Sequence, residues 1–233
     1  MTQPRACWRA FSRRAGFTLV EVLLALALTG LASTLIFGLY RAHLDAYEIN
    51  RRLMEDQSRL RAALSLIGSH LRSAGHDPTG RAGAGIRSAR GAYLYLTRDL
   101  GGEGAGNSAP DGRLSAPGEH IAFCRYGAGT LGMHSGRQDG GSCSGSGAGA
   151  AGHPGGGFHQ PLADQVESLA FRYFTLDEAG EPVELFPDPL GGEVANPQDI
   201  RQIEVRLTTA WSYKGQTRRR ELRETILLRN LSP

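Results

Sequence analysis

Between Phe17 and Tyr40 nearly every residue is apolar or small, and one charge, Glu21, interrupts the run. At about 1.5 Å rise per residue such a helix crosses a bilayer core of roughly 30 Å, so the run predicts a membrane span. A carboxylate at the centre of that core costs about 2.5–3.5 kcal/mol, and less near the interface. Glu21 therefore needs a partner. A cut between Gly16 and Phe17 would supply one, because the new α-amine lies four residues before Glu21, one helical turn away on the same face.

The charge distribution points the same way. The chain carries 26 Lys+Arg against 23 Asp+Glu, yet Arg5, Arg9, Arg13 and Arg14 all precede Gly16, where there is no acid. The sequence pI near 8.9 thus reports a basic leader rather than a nucleic-acid surface. Arginines ahead of the span hold residues 1–16 in the cytoplasm and send the chain after Tyr40 outward.

Basic residues, Gly16, then Phe17-Thr-Leu-Val-Glu21 and an apolar helix together resemble the type IV prepilin signal. In that family a membrane peptidase cleaves after the glycine and methylates the new N-terminal Phe, and the Glu guides subunit docking. The resemblance implies cleavage between Gly16 and Phe17, N-methylation of Phe17, and Glu21 as the assembly carboxylate. It also implies a single-pass inner-membrane protein, cytoplasmic at its N-terminus and periplasmic at its C-terminal domain, that later enters a pilus or pseudopilus. The implied partners are a prepilin peptidase, other minor and major pilins contacted through the N-terminal helix, the inner-membrane assembly platform and membrane lipid.

The helix is expected to continue to about Ala74. Leu53, Gln57, Leu60, Leu64, Ile67 and Leu71 recur at steps of three and four, and Gly75 followed by Pro78 reads as the stop. Beyond it the pattern changes to period two. Strands are expected at 92–97, 120–126, 166–174, 183–186, 203–208 and 222–228. Ile203, Val205 and Leu207 alternating with Glu204, Arg206 and Thr208 predict one buried and one wet face. The fold class expected is α+β: a long N-terminal helix, membrane-spanning in its first half and amphipathic in its second, packed on an antiparallel β-sheet domain. Its segments are a cleaved leader (1–16), an assembly helix (17–40), an amphipathic continuation (41–75) and a β-rich domain (76–233). Glycine density makes 127–157 an expected long surface loop.

Cys7 leaves with the leader, so Cys124 and Cys143 form an even pair in an extracytoplasmic segment and are expected to be bridged. Closing that loop of about 20 residues would add about 3 kcal/mol. Catalytic signatures are weak. Gly141-Ser-Cys-Ser-Gly145 has the outline of a nucleophile elbow, but without a strand–turn–helix context. Cys124, His134, Cys143, His153 and His159 match no compact zinc spacing, and the histidines are read as solvated loop residues. Asp177, Glu178 and Asp188 are isolated acids near turns. Glu221 and Glu224 interrupt the cluster of Arg218, Arg219, Arg220 and Arg223, which argues against a nucleic-acid surface. No metal, cofactor or enzymatic activity is expected.

The helix-then-sheet plan is similar to the larger minor pilins, the PilW type and the related pseudopilin J of type II secretion. The likeness rests on the helix end at 66–75, the Val-x-x-Leu-x-Phe-x-Tyr strand at 166–173 and the late strand at 200–207. It implies a subunit that helps initiate or cap a type IV pilus, with a type II secretion pseudopilin as the alternative. A chain of another class, a bitopic membrane protein with an extracytoplasmic binding or enzymatic domain, shares the same span. This chain lacks the proline many pilins carry early in the helix, so their usual kink is not implied.

Overall fold

The computed structural model describes residues 16–101, 109–127, 129–136, 158–188 and 192–231. Helix α1 (Leu19–Arg72) is followed by β1 (Ile86–Ala89), β2 (Tyr93–Thr97), β3 (His120–Tyr126), β4 (Thr130–Ser135), β5 (Phe158–Ala163), β6 (Val166–Leu176), β7 (Pro182–Leu185), β8 (Gln202–Tyr213) and β9 (Gln216–Leu227). This is an α+β fold, as expected. Two compact units divide the chain between Arg51 and Arg52.

In the first unit, α1 is long and apolar enough to cross a membrane, and none of its apolar window is buried within the chain. Leu23, Leu24, Leu28, Leu31 and Leu35 are all exposed. Both of its threonines bond inside the helix: Thr29 Oγ1 donates to the Ala25 carbonyl at 2.7 Å, and Thr34 Oγ1 to that of Leu31 at 2.7 Å. Threonines that satisfy their hydroxyls on their own helix suit an apolar medium.

The second unit holds the core. Leu60, Ala63, Leu64, Ile67 and Leu71, the stripe expected from spacing, are buried with Leu94, Leu96, Ile121 and Phe123 of one sheet and Phe171, Tyr173, Ile203, Val205 and Leu207 of another. The single sheet expected is thus two. The first is a five-stranded antiparallel meander in the order β1-β2-β3-β4-β5; the second has four strands, β7-β6-β8-β9. Buried polar contacts join them. Tyr173 Oη donates to the Arg90 carbonyl at 2.6 Å, and the Phe171 amide to that of Gly91 at 2.8 Å. The Val166 amide donates to the Gly129 carbonyl at 2.8 Å. Gly129 has φ +122°, and a Cβ there would lie 3.0 Å from the Val166 carbonyl oxygen, so this crossing needs glycine.

The 127–157 loop requires correction. Thr130–Ser135 is strand β4, paired to β3 from Ile121↔Ser135 to Tyr126↔Thr130, with Leu131 in the core. Glycine content lowered the expected strand signal, but cross-strand pairing on both sides supplies what local propensity lacks.

The helix stop falls where expected. Gly75 has φ +75°, and its amide donates to the Thr97 carbonyl at 3.0 Å. A Cβ at this position would sit 2.4 Å from Leu231 Cδ2.

Candidate functional site

Gly16, Phe17 and Thr18 lie just ahead of the first helical residue, Leu19. Thr18 is the cap. Its carbonyl accepts the Val22 amide at 3.2 Å, and its Oγ1 accepts the Glu21 amide at 3.3 Å. One of the four orphan amides of the helix start is thereby satisfied. Glu21 occupies the third helical position, so Thr18-Leu-Val-Glu21 has the capping-box sequence, with the carboxylate in the turn where the helix dipole favours negative charge. Among the described residues none covers the site: Phe17 is 81% exposed, and a Cβ on Gly16 would meet no atom within 4 Å. The signal for the cap, a Thr three residues before a Glu at the edge of an apolar run, was present in the sequence.

The arrangement can do two things chemically. An open peptide bond at an uncovered glycine is accessible to a peptidase. A carboxylate in the first turn can pair with a cation placed beside that helix end.

Residues 11–37 match the family model described as the prokaryotic N-terminal methylation motif. The chain carries a type IV pilin or pseudopilin signal. That motif supports a pilin-like subunit, and it implies processing by a prepilin peptidase and assembly with other pilins. An apolar N-terminal helix that begins within the motif fits a single-pass, membrane-anchored pilin. The motif is that of structural subunits. No curated protein matches the chain.

The other sequence candidates are scattered over the second unit. Cys124 lies on β3 opposite Tyr93 and Gly132, buried with Tyr93, Tyr95 and Ala122 in a small cluster separate from the main core. Cys143 and His153 lie outside the described residues. His134 is not a solvated loop residue: it sits on β4, 5% exposed, in backbone register with Ala122 of β3 and His159 of β5. Among the described residues no three His, Cys, Asp or Glu side chains are grouped to hold a metal. Asp177 serves the β6–β7 turn, its Oδ1 accepting the amides of Ala179 at 2.9 Å and Glu181 at 2.8 Å. Arg218, Arg219 and Arg220 lie on β9.

Four polar groups were not anticipated: Glu119, His120 and Tyr93 are buried and His70 is half-buried. Glu119 is 1% exposed and takes four backbone amides, from Leu100, Gly101, Ser115 and Ala116, which fixes the turn into β3. His120 Nδ1 meets Tyr95 Oη at 2.7 Å and its Nε2 meets the Leu114 carbonyl at 3.1 Å, so the ring is held at both nitrogens. On α1, His70 rests against Phe123 with ring centroids 5.9 Å apart; burial, then the nearby Arg98, pulls its imidazole down to about 4. Burial pushes the Tyr93 phenol up to about 12.

Proposed function

We propose that the chain is a minor pilin of the PilW type that helps initiate or cap a type IV pilus. The observation that carries this reading is the exposed apolar stretch 19–40 of α1, whose one charge, Glu21, stands in the first turn directly behind Gly16 and Phe17. Prepilin peptidase cuts between Gly16 and Phe17 and methylates Phe17. Residues 17–40 then anchor the subunit in the inner membrane, and the domain from 76 onward is periplasmic.

Assembly follows from desolvation. As the subunit leaves lipid, the leucines of 19–40 exchange acyl chains for other subunits' helices, while Glu21 pairs with an N-terminal amine, its own or a neighbour's. A charge pair kept from water loses about 3–5 kcal/mol when one member is removed. Glu21→Ala should therefore cut incorporation into fibres far more than it cuts membrane insertion. In the domain, Cys124 and Cys143 are bridged, a reading supported by the burial of Cys124 on β3.

Mass spectrometry of the native N-terminus is the deciding measurement. A chain beginning at methyl-Phe17 is expected, and one that begins at Met1 in cells with an active peptidase would overturn the proposal. Thiol labelling of the intact mature chain tests the bridge, and two free thiols would remove it.

A further inference from the structure

Strand β2 is buried at every residue, although an antiparallel sheet commonly keeps one face wet. Alternate residues show why. Leu94 and Leu96 of β2 and Ile121 and Phe123 of β3 enter the main core with α1. Tyr93, Tyr95, Ala122 and Cys124 alternate with them and form a separate small core on the far face of the sheet. Register adds Ser88, paired with Tyr95, and His134, paired with Ala122, to that face, and both are buried.

The two cores are held differently. Tyr173, the tyrosine of the main core, has its hydroxyl bonded to the Arg90 carbonyl at 2.6 Å. In the small core only one of two tyrosines is so placed. The Leu114 carbonyl can only accept, so His120 Nε2 carries the proton and Tyr95 Oη donates to Nδ1. Tyr93 Oη and Ser88 Oγ, by contrast, are buried with no hydrogen-bond partner. A buried hydroxyl left unpaired forfeits the bonds it would make to water, so this face is under standing pressure to open.

A covalent link can oppose that pressure. Cys124 belongs to the small core, so a sulfur bonded to it must arrive on the far face of the sheet. The chain leaves β4 beside the start of β3, where the Gly136 amide donates to the His120 carbonyl at 2.9 Å. From there Cys124 lies four residues along β3, about 13 Å away, and Cys143 follows Gly136 by seven residues. Seven residues reach up to about 23 Å, which lets the two Cα atoms approach to the roughly 4.4–6.8 Å that a disulfide requires.

We propose that the Cys124–Cys143 bridge is a redox-sensitive latch on the small core, so that its reduction frees the far face of the five-stranded sheet while the main core stays closed. The latch rests on the proposed bridge and not on the minor-pilin reading. A dithiol reductant breaks the Sγ–Sγ bond, gives up two electrons and two protons, and closes to its own disulfide, leaving two thiols on the chain. Tyr93 Oη and Ser88 Oγ then reach water, and the domain exposes tyrosine and histidine side chains on one face without unfolding.

The test reads the Cys124 thiol in the full mature chain in detergent micelles. Thiols are counted first without reductant: none is expected, and two would remove the bridge and the latch together. After dithiothreitol, iodoacetamide should alkylate Cys124 within about tenfold of its rate in denaturant, as located by peptide mass. Stronger protection than that overturns the latch and leaves the bridge standing. On reduction, amide exchange should accelerate about tenfold in β2 and β3 and stay unchanged in β8. Equal acceleration in β8 means that the whole domain opens, which also overturns the proposal. Cys143→Ser repeats the measurement without reductant, and chemical reduction of the wild type answers the same question should that variant fail to fold. Tyr93→Phe deletes an unpaired hydroxyl and should slow Cys124 alkylation in the reduced chain about tenfold. An unchanged or faster rate would sink the account of why the face opens. N-terminal mass on the same preparations reads processing separately, so loss of one result leaves the other standing.

Discussion

Leucines recur in both halves of α1 and meet opposite surroundings. From Leu19 to Tyr40 the leucines lie open, with Leu24 61% and Leu35 66% exposed, whereas Leu60, Ile67 and Leu71 are fully buried beneath two sheets. The second half is a finished part of a fold. The first is apolar surface that none of the described residues buries, and such a surface calls for lipid or other chains to cover it. One helix therefore serves two energetic purposes, and substitutions should separate them cleanly.

The widest separation is expected in the core. Ile67→Ala should destabilise the second unit by about 2–5 kcal/mol in denaturant unfolding, while Leu28→Ala should leave the same midpoint unmoved. Equal losses would erase the distinction between the halves. A second contrast comes from acid. His70 is held near 4 when folded against 6.5 for the free side chain, so the unfolded state takes the proton first. Stability from this group is complete above about pH 6.5 and falls until about pH 4, by at most about 3 kcal/mol. His70→Leu should flatten that interval, as read by thermal unfolding between pH 7 and 4. Asp77, whose carboxyl is lowered by the amide of Gly83 and the hydroxyl of Thr79 although burial opposes it, titrates below this window.

Smaller effects sit at the helix ends. Gly75→Ala combines a positive φ with a clash against Leu231 and should cost about 2 kcal/mol, measured as a shift in unfolding midpoint. Thr18→Ala removes the cap and should fray the first turn by about 1 kcal/mol, seen as faster amide exchange at Glu21 without any change in the unfolding of the second unit. The smallest is the exposed Arg51–Glu48 pair at 3.2 Å, where Glu48→Ala should change helix stability by less than about 0.5 kcal/mol and only at low salt.

What could be read in the sequence was local. The apolar run, the lone Glu21 behind Gly16, the stop at Gly75 and the alternation Ile203-Val205-Leu207 each declare themselves within a few residues, and each stands where expected. Strands that depend on partners did not. β4, Thr-Leu-Gly-Met-His-Ser, holds only two large apolar side chains around a glycine, and β1 is four residues with a register shift after Ile86. The division into two sheets was equally hidden, because alternation reveals that a strand has a buried face but not which strand lies beside it; β6 pairs with β8 across the intervening β7 segment in sequence. At the candidate site the motif was legible because its chemistry is contiguous. The Thr18 cap could have been read there too. The Glu119 cradle could not, since its amides come from stretches separated by up to nineteen residues whose approach only the folded chain creates.

The closure of α1 carries a consequence for how the protein is made. Asn230 Nδ2 donates to the Arg72 carbonyl at 3.1 Å across a sequence separation of 158 residues, and Leu231 packs on Gly75. The seal on the helix exit is thus synthesised 158 residues after the helix end it closes. Until β9 and this seal arrive, the apolar face of α1 around Leu64 to Leu71 waits without its late partners, so a nascent subunit needs shelter from aggregation while those intervening residues are made.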